Sequence, residues 1–430
     1  MFGRSTLLSG FVVSALAVIL AGRAVAELMN GLFPDGVPGY DAGDGVTVET
    51  RLHPEQMPLG VREGALRFQP QVDESLGYNS NALPGPYRRG SWEIVSAPSL
   101  TVNSDWSRDQ IGAAVSVQDT RYLGLASQNR TDVTVSAGGR IDIGDDKLTV
   151  AASHIDQHED RGALDSIASD RPIAFTLDDF RASYAIDGGP WSITPAVEAT
   201  SYSYDNTTIL GTPASQAYRD RVVTQGGATL RYEFAPQRSV VFVARALNQT
   251  YSHTPAHQAT SDSTSYQVLA GLDYDDDAVW RWRVLVGGEI RQFASTLYPQ
   301  QNTLIAEAGV GWSPSAMTSV SATLSRDTED AAQEGVSGLI YTSARLTIDH
   351  EYLRNLLLKA SAGIQRADFF QGGHQTGVTA GVGATWVMDR NARLSFTYDQ
   401  TDLHGSSIPT QALVTGYSRG IGLVTMRLAL

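Results

Sequence analysis

Four residues in one short segment, His154, Asp156, His158 and Asp160, are best suited to metal or acid–base chemistry. Imidazole and carboxylate groups bind zinc and take part in hydrolysis, and a strand places alternate side chains on one face. These four run from a strand-like segment into a long polar connection, where polar residues are expected in any case. We interpret them as a solvated strand end and predict no metal and no cofactor. A hydrolase acting through His154 or His158 remains as an alternative.

The rest of the sequence carries little further catalytic chemistry. It contains no Gly-x-Ser-x-Gly elbow, phosphate loop or EF-hand pattern, and the three consecutive aspartates at 275–277 are typical of a tight turn. Cysteine is absent, which removes disulfides, thiol nucleophiles and Cys-ligated metals. The net charge of −14 argues against a nucleic-acid partner, since phosphate binding requires a basic surface. The sequence therefore predicts a protein that is not an enzyme.

Apolar residues alternate with polar ones through most of the 430-residue chain. In 340–350, for example, Ile340, Leu346 and Ile348 alternate with polar residues, and 356–365 behaves in the same way. Such a period of two is typical of β-strands with one apolar and one polar face. Beyond the first 26 residues, no stretch approaches the roughly 20 apolar residues of a transmembrane helix.

The connections between these segments alternate in length. Eight are short and nine are longer, which predicts 18 antiparallel strands with both chain ends at the short-turn end; 16 strands is the nearest alternative. Short turns at one end, longer loops at the other and an even strand number are marks of an outer-membrane barrel. We therefore predict an all-β transmembrane antiparallel barrel with short periplasmic turns and longer extracellular loops. A secreted β-sandwich or β-helix would not show this asymmetry.

The aromatic residues are sorted between the two ends of the strands. Six of the seven tryptophans lie within a few residues of a short turn, and we assign them to a periplasmic-side girdle: Trp106, Trp191, Trp280, Trp282, Trp312 and Trp386. Tyrosines cluster near the longer loops: Tyr78, Tyr122, Tyr202, Tyr204, Tyr218, Tyr251, Tyr298 and Tyr417. Rings at both ends are expected of two interfacial aromatic girdles.

The segment before the first strand has the character of a motif. Arg51 is followed by Pro54-Glu55, Pro58, Gly60, Arg62 and Gly64, and this pattern resembles the putative β-barrel porin family of Gram-negative outer membranes. This chain departs slightly from the family spacing, because Leu52 and His53 separate Arg51 from Pro54. The resemblance implies an outer-membrane location and an association with exopolysaccharide genes.

The chain divides into three predicted regions. Residues 1–26 have the charge, apolar run and small-residue cleavage site of a secretion signal peptide, with cleavage after Ala26. Residues 27–63 are Gly/Pro-rich and form a periplasmic N-terminal leader; a plug, or a docking peptide for a periplasmic polysaccharide-export partner, is the alternative. Residues 64–430 form the barrel, whose C-terminal strand, 419–430, is expected to be recognised by the barrel insertion machinery.

The polar face of each strand is expected to line the lumen. The apolar face is expected to contact the lipid of the outer membrane. The predicted lumen-facing basic residues are Arg140, Arg181, Arg221, Arg231, Arg281, Arg283, Arg291, Arg345, Lys359, Arg393 and Arg427. The predicted lumen-facing acidic residues are Asp142, Asp179, Glu233, Glu289, Asp349 and Asp399. This set has a positive excess, which favours anionic solutes because guanidinium groups suit carboxylate and phosphate oxygens. The alternative is that the arginines pair with carboxylates and fill the barrel.

These patterns predict a porin-like channel for passive or facilitated transfer of small hydrophilic solutes, with anionic solutes favoured. The resemblance adds exopolysaccharide as a candidate substrate. The loop 159–175 is long enough to fold inward as a constriction. One alternative is a closed structural or docking barrel of an envelope polysaccharide export assembly. The other is an outer-membrane hydrolase.

Overall fold

The computed structural model describes residues 53–85, 88–276, 279–405 and 416–430, together with residues 33, 36–40, 47–48, 50–51 and 414. The predicted signal peptide, including the cleavage position Ala26, lies outside the described residues, as does much of the leader. The described part is almost entirely β-structure.

Eighteen long strands form one sheet, and we number them β1–β18 along the chain. Those of the first half are β1 (Leu66–Asn79), β2 (Ser91–Ser104), β3 (Gln110–Tyr122), β4 (Arg130–Ile143), β5 (Asp146–His158), β6 (Ala174–Asp187), β7 (Trp191–Tyr204), β8 (Arg221–Ala235) and β9 (Arg238–Tyr251). Those of the second half are β10 (Ser263–Asp276), β11 (Trp280–Phe293), β12 (Gln301–Ser315), β13 (Thr318–Glu329), β14 (Leu339–Leu353), β15 (Leu356–Phe369), β16 (His374–Val387), β17 (Ala392–Gly405) and β18 (Gly416–Ala429).

The sheet closes on itself. Each strand pairs antiparallel with its neighbours in sequence, and β18 returns to pair with β1 from Gln71↔Ala429 to Asn79↔Ile421. A closed sheet leaves no unpaired edge, so every strand finds backbone hydrogen-bond partners on both sides. The predicted 18-stranded barrel is confirmed, and the 16-stranded alternative is wrong. The connections alternate in length except beside β16, where 370–373 and 388–391 have the same length.

The alternation seen in the sequence separates two faces of the wall. On β11 the side chains of Val284, Val286 and Ile290 are exposed, whereas Leu285 and Glu289 between them are buried. In a closed barrel the exposed apolar set is the outer, lipid-facing surface, and the opposite set faces the lumen.

Smaller elements sit around the wall. Val61–Glu63 forms a hairpin with the start of β1, and Thr207–Ile209 pairs with Thr212–Ala214 inside the loop after β7. The described helical elements are single 3-10 turns: Pro54–Gln56, Ala126–Gln128 and Ala217–Arg219. Among the residues described, no helix has the length and apolar character to cross a membrane.

Tryptophan lies mostly at one end of the barrel and tyrosine at the other, as predicted, but most of the tyrosines do not form the expected outer girdle. The six tryptophans lie at the short-turn end, where Trp280 stacks on Trp312 with ring centroids 5.3 Å apart and Trp191 lies 4.1 Å from Tyr232. At the long-loop end the prediction is wrong for five tyrosines, which alternate onto the inner face: Tyr122, Tyr202, Tyr204, Tyr251 and Tyr417. Tyr78 remains on the outer face beside Trp92, with ring centroids 5.5 Å apart.

Arginine introduced near the middle of β14 is expected to affect stability differently on the two faces of the strand. Leu346→Arg places a charge on the lipid-facing surface and is expected to destabilise the barrel by about 2–4 kcal/mol. Thr347→Arg, one residue further along, faces the lumen and is expected to have little effect. Urea unfolding in lipid vesicles measures both, and similar losses for the two variants would contradict the assigned faces.

Candidate functional site

The pairing register places all of the predicted lumen residues on the inner face, and most of the arginines among them contact a carboxylate. Arg181 on β6 lies 2.8 Å from Asp179 and 3.2 Å from Glu198. Further nitrogen–oxygen contacts join Arg140 to Asp142 (3.4 Å), Arg231 to Asp273 (3.6 Å), Arg281 to Asp275 (4.0 Å) and Arg427 to Asp73 (2.8 Å). The lumen is therefore lined largely by ion pairs.

The inner face also holds charged residues that the sequence analysis missed. The additional acidic residues are Asp73, Glu93, Asp132, Asp187, Glu198, Asp273, Asp275, Glu307, Asp327, Glu329 and Glu351. The additional basic residues are Arg67, Arg130, Lys147, Arg245 and Arg419. With both sets included, the predicted positive excess of the interior disappears, and the inner face is close to electrically balanced.

The inner face of one part of the wall, β9–β12, is packed. The Arg245 guanidinium lies 3.0 Å from Glu307, and the Gln267 amide donates to Glu289 over 3.0 Å. Beside this network the inner face carries five buried apolar side chains that contact each other: Val241, Val243, Leu269, Leu285 and Ile305. These apolar positions blur the alternation in β9 and β10, which explains why Arg245 could not be assigned from the sequence.

Another part of the wall, β15–β17, carries small side chains. The inner faces of β15–β17 are lined by Ser361, Gly363, Thr379, Gly381, Gly383, Thr385, Ser395 and Thr397. Three charged residues on this side are exposed: Arg345, Lys359 and Asp399. Arg345 lies near the middle of β14, and its side chain makes no hydrogen bond or ion pair with any residue that the structure describes. The open part of the lumen therefore lies along this side.

The loop between β5 and β6, residues 159–173, crosses the barrel at the long-loop end. Its Asp160 makes two hydrogen bonds, 2.8 and 2.9 Å long, with Arg419 on β18, and its Asp165 N–H donates to Gln375 on β16 over 2.7 Å. Its Leu164 packs in a buried cluster with Leu339, Phe369 and other residues from the far wall. The loop therefore folds into the lumen, as the sequence analysis allowed.

A second inward loop, residues 330–338, meets the first one. Asp330 is buried between two lumen arginines, 2.9 Å from Arg221 and 2.6 Å from Arg291. Burial would raise the pKa of this carboxyl, but Arg291 and Arg221 outweigh burial and lower it. The following Ala332 packs against Ile167 and Ile173 of the first loop. The two loops therefore form one layer across the extracellular mouth.

Asp165 joins these two loops without a cationic partner in direct contact. Its carboxylate accepts from the Ala332 N–H and, over 3.4 Å, from the Gln333 amide. Burial raises the pKa of Asp165 to about 7, against the smaller opposing effects of the Ala332 N–H, Arg219 and Gln333. Glu159, which binds Arg219 nearby, adds to the rise.

The candidate metal or hydrolase set does not assemble. His154 lies on the outer face and contacts Asp178 at 2.6 Å and Asp156 at 3.5 Å, His158 contacts Asp132 at 2.8 Å, and Asp160 binds Arg419. Among the described residues, no group of three His, Cys, Asp or Glu side chains is placed to hold a metal ion. His154 and Asp156 contact each other, but His158 and Asp160 pair with other residues, so the four do not form one site.

Comparison with known proteins gives a family. A sequence model described as Putative beta-barrel porin 2 matches residues 53–425. No curated protein matches the chain.

Among solved structures, the chain is similar to Pseudomonas aeruginosa OpdK with vanillate, at 11% identity and TM-score 0.45, over 84% of this chain and 99% of that one. It is similar to Acinetobacter baumannii OccAB3 at 10% identity and TM-score 0.46, over 86% and 100% of the two chains. Pseudomonas aeruginosa OccK2 in complex with glucuronate is similar at 12% identity and TM-score 0.46, over the same shares. Likeness at this level does not bear on the substrate.

The raised pKa of Asp165 predicts that loop contact depends on pH. Because the docked carboxyl holds its proton more tightly than a free one, docking is most stable below about pH 4 and weakens up to about pH 7. A spin label at Ala168→Cys, in the loop 159–173, is expected to become more mobile across that range. Asp165→Asn should remove the pH dependence; an unchanged pH response in that variant would contradict the assignment.

Removing the Asp330 charge is expected to release the loop 330–338. Asp330→Asn leaves the buried guanidiniums of Arg221 and Arg291 without their carboxylate, and breaking a buried pair costs about 3–5 kcal/mol. Cleavage after Glu334 by a glutamate-specific protease should then be faster in lipid vesicles. Asp368→Asn is the control, since that carboxylate pairs with Arg366 on the outer face. Equal cleavage of both variants would show that Asp330 does not hold the loop.

Proposed function

The chain belongs to the Putative beta-barrel porin 2 family, and from this premise we propose that small hydrophilic solutes diffuse through its lumen across the outer membrane, with anions favoured. Barrels of this strand number enclose an aqueous channel. The Ser, Thr and Gly side of the wall, β15–β17, offers the route, because its side chains are short and polar.

The preference for anions rests on Arg345. The net charge of the inner face gives no preference, and most lumen arginines are neutralised by carboxylates within 4 Å. Arg345 is exposed at mid-strand on the open side, and its guanidinium is available to a passing carboxylate or phosphate. Asp399 on the same side opposes this effect, so the selectivity we propose is modest.

A polysaccharide substrate has less support than a small solute. Guiding a sugar chain requires exposed aromatic rings along the lumen. The inward-facing aromatic side chains at the long-loop end are instead buried: Tyr122, Phe175, Tyr202, Tyr341, Phe369 and Tyr417. Three guanidiniums also cover tyrosine rings there, Arg219 on Tyr204, Arg221 on Tyr202 and Arg419 on Tyr417.

A closed structural or docking barrel is the second candidate, and the layer of loops across the extracellular mouth favours it. That candidate predicts no conductance and a stable periplasmic partner, such as a polysaccharide-export protein bound through residues 27–63. The hydrolase is not retained, because His154 and His158 lie in separate ion pairs.

Zero-current potentials in planar bilayers under a KCl gradient test the proposal. The wild-type protein is expected to show conductance steps with a modest preference for chloride, and Arg345→Glu is expected to shift the preference toward potassium. Arg366→Glu changes the same charge on the outer face of β15 and should leave the selectivity unchanged. Wild-type preference for potassium, or equal shifts in both variants, would contradict the role of Arg345.

A further inference from the structure

Part of the N-terminal leader lies inside the barrel. Phe33 and residues 36–40, which we call the inner segment, contact inward-facing side chains of β3–β6. Val37 is completely buried and Tyr40 nearly so. These residues precede the first strand in sequence, and their burial requires that the chain enter the lumen before β1 begins.

The wall is shaped to receive this segment. Gly112, Gly138 and Ala151 pair across β3, β4 and β5, so three small residues lie in a row on the inner face. A Cβ added to Gly138 would stand 2.0 Å from the Pro38 carbonyl oxygen, and one added to Gly112 would stand 2.6 Å from the Pro38 ring. Side chains at either position would exclude the segment, so the row forms a groove fitted to it.

A polar anchor lies at the edge of this groove. The Tyr40 hydroxyl donates to Asp179 over 2.9 Å, and the rings of Phe33 and Tyr40 stack with centroids 4.7 Å apart. The Arg181 guanidinium lies over both rings, 4.5 Å from the Phe33 centroid and 4.9 Å from that of Tyr40. Cation–π contacts of this kind are strengthened when the cation is shielded from water.

The chain then runs along the short-turn end of the barrel. The Val48 N–H donates to Ser319 over 2.9 Å, His53 lies 3.0 Å from Glu351, and Arg393 donates to the Gln56 carbonyl over 3.3 Å. The Gly60 N–H donates to Leu430 over 2.9 Å. Residues 47–60 are therefore attached to β13, β14, β17 and β18, which keeps the inner segment close to its groove even when it is released.

We propose that the inner segment is a tethered plug, which docks in the Gly112–Gly138–Ala151 groove and narrows the lumen until it is released toward the periplasm. This inference rests on the proposed channel function. Because the plug is covalently attached, its effective concentration at the groove is high, and release is reversible.

The absence of cysteine from the chain allows a direct test. In the variant Gly39→Cys/Ala151→Cys the two Cβ atoms start 2.6 Å apart, closer than in a disulfide, and Gly39 has a φ of +95°, so the backbone of the inner segment must shift to form the bond. The full chain, refolded and oxidised, is expected to form this disulfide, and its mean conductance should rise severalfold on reduction. The two single-cysteine variants control for effects of the reductant.

A second variant is expected to release the plug without a disulfide or a reductant. Gly138→Ala places a methyl group against Pro38 and is expected to raise the conductance in the same way. Gly309→Ala makes the same change on the inner face of β12, where no atom lies within 4 Å of the new Cβ, and should have no effect.

The outcomes separate the plug from the channel. Failure of the disulfide to form, together with an unchanged conductance in Gly138→Ala, would overturn the docking of the segment. A disulfide that forms without changing the conductance of a conducting barrel would overturn the plug and leave the channel intact. No conductance in the reduced protein or in Gly138→Ala would overturn the channel function and, with it, the gating role.

Discussion

The hydrogen-bonding capacity of the backbone in lipid is the constraint on which this structure depends. A bilayer core offers no partner to an N–H or C=O group, so each strand must be paired on both sides. The β18–β1 seam meets this requirement and turns a chain with the composition of a soluble protein into a closed wall. Only one residue in two then faces lipid, which is why 42% hydrophobic residues are sufficient.

Closure also determines the chemistry of the interior. Charged side chains on the inner face are partly removed from water, and an unpaired charge there is costly. The arginines of β6, β8, β9 and β11 accordingly have carboxylates beside them, from the wall or from the inward loop residue Asp330. Where the wall carries Ser, Thr and Gly instead, the lumen stays open and Arg345 remains exposed to a solute. The asymmetry of the wall thus determines where a solute can pass.

The sequence was sufficient for features that depend on local order. A period of two and the lengths of successive connections are properties of neighbouring residues, and they predicted the strand number, the closed barrel and the inner faces. Contacts between residues far apart in the chain could not be predicted from it. Asp165 meets Gln375 across 210 positions, and Tyr40 meets Asp179 across 139. The charge balance was missed for a related reason, since inward apolar residues such as Val243 and Leu269 mask the alternation around Arg245.

The extracellular loops and the inner segment both occupy the lumen, and Phe33 of the segment reaches the buried cluster of Phe175 and Tyr202 at the long-loop end. The extracellular layer is held by buried ion pairs and apolar clusters, whereas the inner segment is held by the groove of small residues, the Tyr40–Asp179 hydrogen bond and the Arg181 guanidinium. We expect the segment to be the more easily displaced of the two, because its described residues are uncharged and no ion pair of theirs is broken when it leaves.

The division of the wall into a lipid face and a water face is the central claim, and thiol accessibility along β14 tests it most directly. Cysteines placed singly at positions 344–349 in the native cysteine-free chain can be exposed to a membrane-impermeant maleimide in lipid vesicles. The structure predicts labelling at 345 and 347, and protection at 344, 346 and 348 by lipid and at 349 by burial in the lumen wall. Uniform labelling, or the opposite alternation, would contradict it.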